Sequence, residues 1–260
     1  MAERFSLMEL MICVAARQLE DNKVAVIGTG MPLAAAMLAK KLYSPDLITM
    51  FEAGGVDPDL VKLPHSVADS YTMLGGLMHN SMAEIMETCQ RGLVDYTFLG
   101  GAQIDMYGNL NTTILGTDIQ KPRVRLPGSG GANDLGSLCW KMLVITPHDK
   151  RRFVSKLDFL TTPGYLTGNG AREAAGLPAG TGPYKVISTL ALMGFDPESK
   201  RMRVESLHPA VTVEEIRANT GFELLFMDPL PVTSAPTDEE LRILREEVDP
   251  EGIIIGKQAR

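Results

Sequence analysis

The chain has 260 residues, with 25 Lys and Arg against 32 Asp and Glu, a net charge of −7 and 45% hydrophobic content. That length suits one large α/β domain with a sizeable core, and the acidic balance argues against a protein held on nucleic acid, since no Lys/Arg excess is available to replace released counterions. No stretch approaches the roughly 18 uninterrupted apolar residues of a spanning helix, and MAERFSLMEL lacks a basic region followed by an apolar core, so the chain reads as unprocessed, cytoplasmic and without membrane contact.

In chain order, Ser6 with Glu9 predicts a capping box, and Leu7, Leu10, Met11 and Val14 then recur at helical spacing. An amphipathic helix is expected there. VAVIG, Val24 to Gly28, is a short apolar run closed by Thr29-Gly30, and the Ala/Leu/Met-rich stretch from Pro32 to Leu42 predicts a helix after it. LITMF, Leu47 to Phe51, repeats the apolar run and stops at Glu52-Ala53-Gly54-Gly55; YTFLGG and MLVIT do the same further on. Apolar strands alternating with helical segments predict an open, mostly parallel sheet with helices on both faces.

Between Phe153 and Pro183, Gly and Pro recur, which predicts a long functional or covering loop. VISTLALMGF and RMRVESLH flank the polar turn Asp196–Lys200 and predict a hairpin. Capping boxes at Thr212 with Glu215 and Thr237 with Glu240 open short helices near the end. With no repeat or composition break, residues 1–260 read as a single domain.

Cys13, Cys89 and Cys139 are odd in number and widely spaced, which favours buried thiols over redox or metal roles. Gly28-Thr29-Gly30 opens a dinucleotide fingerprint, but its third glycine would fall at Leu33, so the fingerprint fails. His65, His79, His148 and His208 show no metal-ligand spacing, and they read as core, loop or hydrogen-bonding residues; no metal site is expected.

Glu52 is different. It ends an apolar strand, and the carboxyl ends of parallel strands are where open α/β sheets place their ligands. Gly54 and Gly55 let backbone and substrate come close to it. Position alone leaves two readings open, a chemically active carboxylate or one that caps the next turn or faces water. In Gly128-Ser129-Gly130-Gly131-Ala132-Asn133-Asp134, successive backbone N–H groups can bind an oxyanion or phosphate, or the loop is a flexible surface turn. Gln103, Asp105 and Asn109 lie in a turn dense in amides and glycines that either positions polar substrate groups or satisfies its own backbone.

Together with VAVIGTGMPLAAAMLAKKLYSPD, FLGGAQIDMYGNLNTT, HDKRRFVSKLDFLTTPG, NTGFEL and LREEVDP, these segments resemble the β subunits of class I coenzyme A transferases, most closely those of the glutaconate CoA-transferase type. The resemblance spans nearly the whole chain. It implies that Glu52 is a nucleophile forming an acyl anhydride and then a glutamyl-CoA thioester, with ping-pong kinetics and no permanently bound cofactor. It also implies oxyanion stabilisation at Gly130 and Gly131. Gly54, Gly55, Gln103, Asp105, Asn109 and Asn133 then contact substrate or CoA, and Lys150-Arg151-Arg152 either meets CoA phosphates or is a solvated charge run. The family usually has Ser or Asn where this chain has Ala53, which removes one hydrogen-bonding side chain beside the glutamate. A homologous α subunit is implied as partner, in an αβ pair that dimerises. The alternatives on the same fold are a CoA-thioester hydrolase, a decarboxylase, or a non-catalytic structural subunit.

Overall fold

The computed structural model describes residues 4–60 and 62–256; the first three residues of the N-terminal stretch lie outside it. The fold is α/β, a mostly parallel mixed sheet with helices. The chain groups into two compact units, Met1–Phe98 with Ala235–Arg260, and Leu99–Ser234.

In the first unit, α1 (Leu7–Ala16) begins with the expected reciprocal cap: Glu9 N–H donates to Ser6 Oγ at 3.2 Å, and Ser6 N–H to the Glu9 carboxylate at 2.7 Å. The helix is not amphipathic as predicted, because every residue from Glu9 to Ala16 is buried, as in a helix enclosed on all sides. Enclosure leaves Glu9 in need of a counter-charge. Arg245 supplies it from Nε at 2.6 Å and Nη2 at 3.2 Å. Burial pushes the Glu9 pKa up, but the bonds from Arg245 and Ser6 outweigh it and the carboxyl titrates below its ordinary range. Just past α1, Arg17 grips Glu240 through Nε at 2.7 Å and Nη2 at 2.6 Å, with the Tyr43 hydroxyl donating to the same carboxylate. Burial again opposes ionisation, yet these donors and the Thr237 N–H hold Glu240 at about 2.

Strands β1 (Val24–Val26), β2 (Ile48–Met50), β3 (Gly55–Val56), β4 (Met78–His79) and β5 (Tyr96–Leu99) follow, in the order β5-β1-β2-β3-β4. The first three of that order are parallel, with Val24 opposite Ile48 and Ala25 opposite Tyr96, whereas β3 and β4 turn back antiparallel. After β1, Gly30 at φ +81° leads into α2 (Met31–Leu42), with Pro32 in its first turn and Leu33 to Ala39 buried. Ser81 and Glu84 form a capping box at α3 (Met82–Gln90) that the sequence reading did not identify. The expected box of Thr237 and Glu240 opens the helix Asp238–Ile243.

The second unit contains β6 (Gln103–Ile104), β7 (Leu110–Asn111), β8 (Ile114–Leu115), β9 (Val124–Arg125), α4 (Ala132–Leu138), β10 (Lys141–Thr146), α5 (Ala171–Ala174), β11 (Gly182–Ser188), β12 (Ala191–Phe195), β13 (Met202–Leu207), α6 (Val213–Ala218) and β14 (Leu225–Phe226). β10 and β11 are parallel, β11, β12 and β13 antiparallel, and β14 parallel to β13. The predicted hairpin is β12–β13. The run VISTLALMGF is, however, two strands: Ser188 Oγ accepts from the N–H groups of Leu190 and Ala191 at 3.2 Å and turns the chain inside an apolar run that periodicity reads as continuous. Met142, Val144, Phe153, Val186, Met193, Met202 and Val204 form the core here. The Thr212 hydroxyl caps α6 by accepting from Glu215 N–H.

The Gly- and Pro-rich stretch after Phe153 is tied down by Arg172, 1% exposed on α5. Its guanidinium donates to the carbonyls of Pro163, Gly164, Gly136 and Ser137 and to Thr181 Oγ1, all at 2.9 to 3.2 Å. The segment is thereby built into the unit as a fixed element.

Candidate functional site

Glu52 and Ala53 are the central residues of a two-residue turn joining β2 to β3. Gly54 N–H donates to Phe51 O at 2.9 Å and Phe51 N–H to Gly55 O at 2.8 Å, and Met50 then pairs with Val56. The glutamate therefore stands where a parallel strand reaches its carboxyl end and reverses. It is half-buried. Among the described residues its carboxylate has no hydrogen-bond or ion-pair partner, and Ala53 beside it offers none, so the side chain does not cap its own turn.

The two glycines after it are required by close approach. A Cβ on Gly54, which sits at φ +123°, would lie 1.9 Å from Asn80 O, and one on Gly55 would lie 1.7 Å from Thr72 O. Asn80 N–H donates to Gly54 O at 2.8 Å, so the backbone packed against this turn is the protein's own.

The second candidate lies in the other unit. Gly128 (φ +101°) and Gly130 (φ +47°) adopt the left-handed backbone that glycine accepts without strain, and Gly131 is the N-cap of α4. Ala132 N–H turns back to Ser129 O at 2.9 Å and Gly128 N–H is taken by Thr112 O at 2.9 Å, but among the described residues nothing accepts from the N–H of Gly130 or Gly131. Two adjacent open amides are what an oxyanion needs. Asn133 is exposed, with its Nδ2 on Thr161 O at 2.9 Å, and so ties the start of α4 to the 161–164 segment.

Gln103, Asp105 and Asn109 are placed together but are fully engaged. Gln103 Oε1 accepts from Asn111 Nδ2 at 2.8 Å and Asp158 N–H at 3.0 Å. Asp105 accepts from the N–H groups of Tyr107 and Asn109 and from Asn109 Nδ2; burial outweighs these bonds and raises its pKa. Asn109 Oδ1 receives the N–H groups of Gly164 at 2.7 Å and Leu166 at 3.1 Å, while its Nδ2 also reaches Leu166 O. The three side chains thus fasten one loop to another. Arg172 and Thr161, which brace α4 and the segment beside it, carry no sequence signal: a lone Arg among alanines and a Thr in an apolar-polar transition look like surface residues.

His148 and His208 are buried and hydrogen-bonded. His148 stacks on Phe153 with ring centroids 3.7 Å apart, its nitrogens on Ser188 Oγ and Thr220 Oγ1, and burial lowers its pKa to about 4. His208 joins Thr233 Oγ1 and Ser188 O and is likewise lowered by burial. His65 and His79 are exposed. All three cysteines are buried thiols, as expected. Among the described residues no group of three or more His, Cys, Asp or Glu side chains converges as metal ligands would, and no helix is long and apolar enough to cross a membrane.

Residues 9–219 match the coenzyme A transferase family. The chain is 36% identical over 247 residues to the β subunit of glutaconate CoA-transferase from Acidaminococcus fermentans, covering 93% of this chain and 92% of that protein. It is 38% identical over 252 residues to the β subunit of 3-oxoadipate CoA-transferase from Pseudomonas knackmussii, with the same coverage of 93% and 92%. The crystal structure of glutaconate coenzyme A-transferase from Acidaminococcus fermentans superposes with a TM-score of 0.93 at 33% identity, over 98% of this chain and 99% of that one.

Proposed function

The chain belongs to the coenzyme A transferase family, and we propose that it is the β subunit of an enzyme that moves CoA between carboxylic acids through a covalent intermediate on Glu52. The observation that carries this reading is the half-buried, unpartnered Glu52 carboxylate at the tip of the β2–β3 turn. It is free to act as a nucleophile. One of its oxygens attacks the thioester carbonyl of an acyl-CoA, the C–S bond breaks, and a mixed anhydride and CoA thiolate result. The thiolate attacks the glutamyl carbonyl, the anhydride C–O bond breaks, and the first acid leaves as its carboxylate. The acceptor carboxylate then runs the same two steps in reverse. The thioester bond is conserved throughout, and splitting one exchange into paired acyl transfers gives ping-pong kinetics. The open N–H groups of Gly130 and Gly131 are assigned to the oxyanion of each tetrahedral intermediate, where a single donor is worth about 2.7–4 kcal/mol.

Gln103, Asp105, Asn109 and Asn133 position the loops around the reacting groups, and Gly54 and Gly55 shape the turn that presents Glu52. CoA is a substrate, and no permanently bound cofactor takes part. The two relatives above are each one subunit of a transferase named for a dicarboxylate, which supports a dicarboxylic or related acid and a homologous α subunit, in a pair that dimerises, working in the cytoplasm as one transferase domain.

The test is to incubate the complex purified with its partner with a panel of acyl-CoAs, reduce with borohydride and map peptides by mass spectrometry. Reduction at Glu52 is expected, and Glu52→Gln should lower turnover by several orders of magnitude. Thioester consumption without modification at Glu52, yielding free acid or carbon dioxide without an acyl acceptor, would replace transfer by hydrolysis or decarboxylation.

A further inference from the structure

We infer that Lys121, Arg123 and Arg125 bind the phosphate-bearing nucleotide end of CoA; the inference rests on the transferase reading above. Val124 pairs with Leu115 and Arg125 with Ile114, and the ladder does not stop at the end of β9. Leu126 N–H continues it to Thr113 O at 2.9 Å and Gly128 N–H to Thr112 O at 2.9 Å. The three cations and the glycine loop are thus successive stretches of one hydrogen-bonded ribbon. At a strand's rise, Arg123 and Gly128 stand about 17 Å apart, a span suited to a ligand whose acyl and phosphate ends are separated by a long flexible arm. Alternation along the strand sends Arg123 and Arg125 to one face and Val124 to the other.

All three cations are exposed, and among the described residues none has a carboxylate partner. Arg125 Nη2 donates to Ile119 O at 3.0 Å. The nearest acid in the connecting loop, Asp118, turns Oδ1 to the backbone N–H groups of Gln120 and Lys121 at 2.8 and 3.3 Å. The other basic run, Lys150-Arg151-Arg152, is differently disposed. Asp149 lies 3.6 Å from Arg151 Nε and 3.4 Å from Arg152 Nε, and Arg152 Nη1 donates to Gly101 O at 3.2 Å. Of the two runs, only the first is uncompensated, in a chain whose net charge is −7. Two guanidinium forks two residues apart on one face, with a lysine beyond, match a ligand carrying a diphosphate and a further phosphate.

The test is equilibrium binding, by titration calorimetry, of CoA, dephospho-CoA and pantetheine to the full chain purified with its partner. Lys121→Gln/Arg123→Gln should weaken CoA at least tenfold and dephospho-CoA less, and leave pantetheine unchanged. It should also flatten the fall of CoA affinity with added salt. Arg123→Lys, which keeps the charge, should hold affinity within about threefold, and an unchanged melting temperature of the double variant would show that folding is intact. Equal loss of CoA and pantetheine, an unaltered CoA affinity, or a loss that follows Lys150→Gln/Arg151→Gln instead would overturn the inference. Intact, strip-dependent CoA binding without any Glu52 labelling would sustain it and remove only the transfer reading; a complex that binds no CoA would remove both.

Discussion

The two units solve the same problem, a charge shut away from water, in opposite ways. In the unit of Met1–Phe98 with Ala235–Arg260, the buried carboxylates Glu9 and Glu240 are each gripped by an arginine through two nitrogens. In the unit of Leu99–Ser234 the buried charge is Arg172, and it faces four carbonyls and one hydroxyl without a carboxylate. Two of those carbonyls, Gly136 and Ser137, belong to the last turn of α4, where unpaired C=O groups carry the negative end of the helix dipole. Partial charges thus do in one unit what full charges do in the other. The buried imidazoles of the second unit, His148 and His208, are held by hydroxyls and a carbonyl. The units should therefore answer differently to mutation and to acid.

The largest effect is expected from Arg172→Met, which orphans five acceptors at once and should cost the second unit about 4 kcal/mol. Hydrogen exchange should rise across 132–138 and 161–181 while α1 stays protected; equal opening of α1 would break the contrast. Arg17→Met should cost the first unit about 3 kcal/mol, because Glu240 keeps only Tyr43 and Thr237 as donors. Denaturant unfolding of Arg17→Met/Glu240→Gln should then recover part of the loss, since no unpaired carboxylate remains.

Acid sharpens the comparison further. His148 titrates near 6.5 when unfolded and near 4 when folded, so the unfolded chain binds more protons between those values. The stability of the second unit should fall as pH drops from 6.5 to 4, by about 3 kcal/mol. Glu240 moves from 4.5 to about 2, so its contribution is intact above 4.5 and is lost only as pH falls toward 2. Exchange followed by region at pH 5 should show the second unit loosened and α1 unchanged; the reverse order would refute this assignment. The smallest effect is expected at the thiols. Burial pushes Cys13 up to about 12, and Cys89 and Cys139 are also buried. An alkylating reagent at pH 8 should label none of the three until denaturant is added.

Much of the fold was legible because the signals were local. The apolar runs at Val24 and Leu47, the turn at Gly28-Thr29-Gly30 and the caps at Ser6 and Thr237 each act over a few residues, and each appears where expected. The failures share a cause. Ser188 breaks an apolar run by bonding its own downstream amides, and α1 loses its predicted polar face because Arg245, more than 200 residues away, neutralises Glu9. Neither partner can be read from neighbouring sequence. The same holds for Gln103, Asp105 and Asn109, whose polar atoms are consumed by Asp158, Gly164 and Leu166.

By itself the sequence determined the class of fold, the position of Glu52 at a strand end and the glycine loops, because strand, turn and cap preferences are properties of adjacent residues. Only the tertiary structure decided which polar side chains remain available. Among the described residues it left Glu52, the amides of Gly130 and Gly131 and the cations around β9 without a charged partner while engaging Asn109, Arg172 and His148, because a hydrogen bond is closed by proximity in space and proximity is set by the packed chain.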